Sequence, residues 1–236
     1  MAHTREEYSG RRAGGRCPHA HRSTGVTVAS IVSVVMSVPH MAGADLALSI
    51  ALGVGLAAAV GFRVFVPLLV VSVAALSGHL TLSSGFAWLG TPAALVMLSV
   101  AAVLEILAYY IPGVDNMLDA LAGPAALIAG TVVSAAVMTD LPPLVKWTTA
   151  VIAGGGAAGL TQGLTSLLRA KSTVMTAGLG NHALATAELG GALIVSLLAL
   201  VAPVAAVALV ALFCWLAVRL VRRLFRRERA DRGVLP

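Results

Sequence analysis

Arg63 lies about halfway along an otherwise apolar stretch from Leu46 to Leu76, and Glu105 lies deep in the next one. A guanidinium and a carboxylate in hydrocarbon each cost roughly 2.5 kcal/mol or more on the insertion scale. Arginine does not give up its proton in a protein, so Arg63 must find acceptors. One solution is an Arg63–Glu105 ion pair that locks the first two helices together. The other is a site. Pro67 lacks an amide proton, and its ring disfavours the carbonyl four residues back, which is that of Arg63. A freed carbonyl beside a fixed cation is how discontinuous transporter helices hold small ions or carboxylates.

The remaining candidate groups are few. Glu188 opens the last apolar segment and reads either as a helix N-terminal residue favoured by the dipole or as a second titrating group. Unpaired, it or Glu105 is a proton carrier. Asp115 and Asp119 stand one helical turn apart, where capping and solvation explain them more cheaply than metal binding. Asn181 and His182 follow the glycines of "TAGLGNHA", but no Lys-Ser or Lys-Thr completes a phosphate loop. Serine-nucleophile and zinc-protease motifs are absent from the sequence. No catalytic residue, cofactor or metal site is expected. The Cys17-Pro18-His19-Ala20-His21 cluster, with one thiol in a polar tail, is a weak soft-metal motif.

The elements that must position these groups are apolar helices. The chain of 236 residues is 58% hydrophobic and only 11% charged. A soluble domain carries about 25% charged residues, so no large aqueous domain is expected. The first segment, Leu46–Leu76, is longer than one span, and Gly61 and Pro67 are expected to kink or divide it. A second helix is expected from Pro92 to Tyr110, ended by Pro112-Gly113, with Tyr109 and Tyr110 at headgroup depth. A short helix from Asp115 to Leu121, a third span from Pro124 to Met138 and a fourth from Val145 to Leu168 follow. A polar stretch, Arg169 to Glu188, then leads into about thirty apolar residues interrupted by Pro203.

Small residues recur every four positions at Gly53, Ala57 and Gly61 and again at Gly155, Gly159 and Gly163, flanked by Gly154 and Gly156. Such glycine-zipper stripes let helix backbones approach closely, within the chain or across a homo-oligomer seam.

The net charge of +6 is concentrated at the ends. Five arginines lie among residues 1–22, and Arg219, Arg222, Arg223, Arg226, Arg227, Arg229 and Arg232 follow the last apolar run. Basic flanks of this kind set topology and stay cytoplasmic. They also suit contact with anionic lipid, whereas without interleaved aromatic residues they do not suit nucleic acid. Arg169 and Lys171 should lie on the same side as the C-terminal arginines, so either the last segment crosses twice by bending near Pro203 or Arg169 and Lys171 are held for another purpose. Residues 1–40 are expected to be a basic, disordered extension, or the product of a misplaced start upstream of Met41. Residues 41–221 form the helical membrane domain, and 222–236 the basic cytoplasmic tail.

In order, "ALGVGLAAAVGFRVFVPLL", "FAWLG", "LEILAYYIPGVDNMLDAL", "GGGAAGL", "STVMTAGLGN" and "RLVRRLFRR" resemble a bacterial family of small integral membrane proteins catalogued as domain of unknown function 4126. The resemblance covers roughly residues 46–225. Its pattern falls on Gly61, Arg63, Phe65, Pro67, Glu105, Ile111, Pro112, Gly113, Asp115, Asp119, Gly180 and Asn181. Family members often carry Asp-Lys where this chain has Tyr109 and Tyr110, and proline where it has His182. The resemblance implies a multi-pass bacterial inner-membrane protein and no particular activity.

The expectation is therefore an all-α polytopic protein of five to six crossings, with at least one broken helix and a cytoplasmic C-terminus. The leading function is permeation of a small solute or ion near Arg63 and Glu105. A non-transporting membrane scaffold or assembly factor is the alternative, and a membrane-embedded enzyme the third.

Overall fold

The computed structural model describes residues 45–111, 114–139, 141–176 and 180–232. The expected N-terminal extension, and the Pro112-Gly113 helix end, lie outside the described residues, which are all-helical with irregular connections.

The helices are α1 (Asp45–Val60), α2 (Phe65–Leu76), α3 (Pro92–Ala108), α4 (Val114–Val137), α5 (Pro143–Thr149), α6 (Gly156–Thr176), α7 (Asn181–Val201) and α8 (Pro203–Arg232). A 3-10 turn, Ser84–Gly90, precedes α3, and a π-helical segment, Ala150–Gly155, joins α5 to α6 without a break. Four helical stretches are long and apolar enough to cross a membrane: Met117–Val137, Pro143–Thr176, Asn181–Val201 and Pro203–Arg223. The 3-10 turn and α3, bent by 68°, make a fifth if counted as one span, the lower edge of the expected five to six.

Helix α1 is apolar at almost every position, and its last turn is buried all round, with Leu56, Ala57, Ala58, Ala59 and Val60 fully inaccessible. Leu56, Ala57 and Val60 pack in one cluster with Ala126, Val133, Ala158, Ala199 and Ala206. Ala58, Ala59 and Phe62 pack in another with Ala102, Ala192, Val195 and Val210. The outer helices instead expose large apolar side chains, with Met97 and Ile152 each 71% exposed. So extensive an apolar surface is a lipid-facing one.

Small residues set how closely the helices approach α1. A Cβ on Gly53 would meet the Ser134 backbone of α4 at 3.3 Å, and Ser134 Oγ donates to the Gly53 carbonyl at 2.8 Å. Gly61 lies against Ala158, Thr161 and Gln162 of α6, and Ala57 near Gly130 of α4. On the second stripe, Gly155 and Gly159 face Thr131 and Leu127 of α4, while Gly163 has nothing within 4 Å. Gly154, beside the stripe, packs against Ser134.

Three features differ from the sequence expectation. The first helix breaks at Gly61–Val64, one of its two expected places, and not at Pro67, which sits in the first turn of α2, where its missing N–H has no partner to lose. The short helix and third span are one helix, α4, with Pro124 inside it. Hydrocarbon offers the backbone no other pairing, so helical bonding on both sides of the proline carries the chain through. The stretch from Arg169 to Glu188 is largely helical, because α6 continues to Thr176 and α7 already begins at Asn181. Arg169 and Glu188 pair inside the bundle, as described below.

The last segment does double back. A Cβ on Gly55 would meet Ala199 of α7 at 3.2 Å and Ala206 of α8 at 3.3 Å, while Phe62 packs against both Ala192 and Phe213. That register is antiparallel, with the turn at Ala202-Pro203. The start of α7 and the basic end of α8 therefore share one end of the bundle.

Candidate functional site

At Gly61 the hydrogen bonding of α1 runs down through Phe62 N to the Ala59 carbonyl (3.0 Å) and Arg63 N to the same oxygen (3.3 Å). The next two amides, Val64 and Phe65, donate instead to Glu105 Oε1 (2.7 Å) and Oε2 (3.0 Å). Glu105 reaches them from the buried face of α3, which repeats as Ala94, Leu98, Ala102 and Glu105. Its carboxylate caps α2, satisfying two first-turn donors and meeting the positive end of the helix dipole. Glu105→Ala should strand those amides and lower stability by about 2 kcal/mol, with Glu105→Gln intermediate, in an unfolding titration in mixed micelles.

Arg63 is 1% exposed and takes a different carboxylate from the one expected. Its Nη2 donates to the Ala185 carbonyl of α7 at 3.0 Å and lies 3.6 Å from Glu188 Oε2. The same Glu188 oxygen accepts a short hydrogen bond from Arg169 Nη2 of α6. Arg169, 2% exposed, also brings Nε to 3.4 Å from Asp119 Oδ2 of α4. The guanidinium carbons of Arg63 and Arg169 lie 3.7 and 4.4 Å from the centroid of the Tyr109 ring, within cation–π range.

Asn181, the first residue of α7, ties that helix back to α6. Its Nδ2 donates to Thr173 Oγ1 at 3.0 Å, and Thr173 in turn donates to the Arg169 carbonyl at 3.0 Å. Of the expected site residues, Arg63 and Glu188 meet directly, Asp119 joins them through Arg169, and Glu105 and Asn181 border them. Asp115 lies in the first turn of α4, and its side chain is outside the described residues. Glu188 sits a full seven residues into α7, not at its start.

Sequence reasoning missed Arg169 and Tyr109, the one read as a topology charge and the other as a headgroup-belt residue. A signal for Arg169 existed. Thr161, Thr165, Arg169 and Thr173 recur every four residues, a polar stripe that only a continuing helix with a polar partner would keep. Tyr109 had no such mark; its neighbour Tyr110 does point outward, to Thr186 Oγ1 at 2.8 Å and the His182 ring.

The cluster lies inside the bundle. Seven residues of α6 separate Arg169 from Thr176, and seven of α7 separate Asn181 from Glu188, about 10 Å of helix in each case. Two arginines face two carboxylates there, and the third, Glu105, faces a helix N-terminus.

A bundle of long apolar helices with lipid-facing side chains outside and paired charges within is a polytopic integral membrane protein. Residues 50–223 match the family described as "Domain of unknown function (DUF4126)", and the chain belongs to that family. No curated protein and no solved structure matches it.

Proposed function

We propose that this protein passes a small solute or ion across the bacterial inner membrane, with its site at the α1–α2 break where Arg63, Arg169, Tyr109 and Glu188 meet. One observation carries the reading. Among the described residues, Arg63 Nε and Nη1 and Arg169 Nη1 are buried and donate to no acceptor. Unsatisfied guanidinium donors inside a membrane bundle are costly, and a passing solute gives them a use. A broken helix at that position fits the architecture of transporter sites.

The side facing the cytoplasm follows from charge. Lys171, Arg219, Arg222 and Arg223 share one end of the bundle, whereas Lys146 stands at the other beside Ser83. By the positive-inside rule the arginine end, with the C-terminus, is cytoplasmic. The arginines there also suit contact with anionic lipid.

Arg63→Ala tests the function, since Glu188 keeps Arg169 as its partner and the variant is expected to insert and fold. Uptake of labelled inorganic ions and small carboxylates into proteoliposomes should be saturable in the wild type and fall at least tenfold in the variant. The near balance of charges in the cluster favours a second reading, a scaffold in which the arginines only join helices. Wild-type liposomes silent to the whole panel, with folded protein, would establish that one instead.

A further inference from the structure

We infer that the site formed by Arg63 and Arg169 binds a small monovalent anion in exchange for the Glu188 carboxylate, which gives way by accepting a proton. The inference rests on the permeation reading for its place in a transport cycle, though not for the binding step itself.

The donor inventory comes first. Each guanidinium has five N–H groups and no acceptor. Among the described residues, Glu188 Oε2 is the carboxylate oxygen that both guanidiniums approach, at 3.6 Å from Arg63 and in a short bond with Arg169. Arg63 Nε and Nη1 and Arg169 Nη1 still donate to nothing among the described residues. Both side chains are more than nine-tenths buried. The cluster holds more buried cationic donors than acceptors to take them, which is the requirement of an anion site.

The surrounding charges then decide which group yields. Glu105, from α3, has both oxygens on backbone amides of the break. Asp119, from α4, lies 3.4 Å from Arg169 Nε and is the more exposed of the two acids, at 19% against 7%. Tyr109, at the end of α3, presents its ring face to both guanidiniums. Helix α8 contributes Phe213 and Cys214 beside Phe62. Glu188 alone occupies the position an incoming anion needs.

An anion entering by itself would add a bare negative charge to a low-dielectric interior, which is strongly unfavourable. If Glu188 takes up a proton as the anion arrives, one O–H bond forms and the carboxylate charge disappears. The anion then takes the two guanidiniums, and the net charge of the site is unchanged. Transport by this route moves one anion with one proton and carries no current.

The test uses the full chain in nanodiscs of zwitterionic lipid in weak buffer, with a pH-indicator dye. Chloride, nitrate and formate, as potassium salts adjusted to the same pH, are added in turn. Saturable uptake of about one proton per bound anion is expected, with affinity weakening about tenfold per pH unit while Glu188 is ionised. Glu188→Gln should bind the anion with no proton uptake and no dependence on pH.

Binding without proton uptake in the wild type, or binding of none of the three anions, overturns the inference even if Glu188→Gln does not fold. The two readings fail separately. Proton-linked binding with no flux in proteoliposomes removes permeation and leaves the exchange site. Flux of a solute that takes up no proton, or that carries current, removes the exchange and leaves permeation.

Discussion

Glu188→Ala is expected to lower stability by about 3–5 kcal/mol, because it leaves two buried guanidiniums with no carboxylate between them. Arg63 and Arg169 both lie against the Tyr109 ring, so their mutual repulsion is no longer screened by an intervening negative charge. Asp119, 3.4 Å from Arg169 Nε, compensates one arginine only, and the Ala185 carbonyl is a neutral acceptor for the other. The test is an unfolding titration in mixed micelles. Arg169→Ala should be severe as well, and the double variant should lose less than the sum of the singles by about 1–3 kcal/mol. Strict additivity would mean that Glu188 and Arg169 do not act as a pair.

Gly61→Val should destabilise by about 3 kcal/mol, for steric rather than electrostatic reasons. A Cβ at Gly61 would sit 2.6 Å from the Thr161 side chain and 3.0 Å from the Gln162 amide nitrogen, and it would also collide with the Ala158 carbonyl. Two of those three groups are backbone of α6 and cannot rotate away, so α1 and α6 must separate. Because Arg63 follows two residues later, that separation also draws its guanidinium from Glu188 and should reduce any solute binding. Gly163→Ala is the control: nothing lies within 4 Å of its Cβ, and stability should stay within about 1 kcal/mol of wild type. Equal effects of the two substitutions in the same titration would show that close approach at Gly61 does not hold the break in place.

Both expectations turn on contacts that sequence spacing could not supply. Arg63 and Glu105 were legible as membrane-depth charges, since each interrupts a long apolar run. Their pairing was not. Glu105 faces two amides set free at the break, and where a helix ends is decided by the neighbours that pack against it. Glu188 was legible as a carboxylate near a helix start, yet its partners lie on the break and on α6, respectively 125 and 19 residues away. The hairpin at Pro203 could be read from the proline that interrupts about thirty apolar residues and from Lys171 and the C-terminal arginines sharing a side, but not from Arg169, which is paired inside the bundle. The continuous α4 could not, since a proline after a glycine reads locally as a stop.

The sequence by itself determined the class of protein. Near-absence of charge over spans of membrane length leaves the backbone no solvent but itself, so helices and a lipid-facing exterior follow from composition. It also marked Arg63 and Glu105 as charges that must be buried, because the chain offers no water at their depth. Only the tertiary structure decided who neutralises whom. Packing α1 at the centre, against glycines that admit its neighbours closely, brings Arg63, Tyr109, Asp119, Arg169 and Glu188 into one cluster from separate helices. A Coulomb interaction depends on distance and dielectric, and both are set by how the helices pack rather than by the order of residues along them.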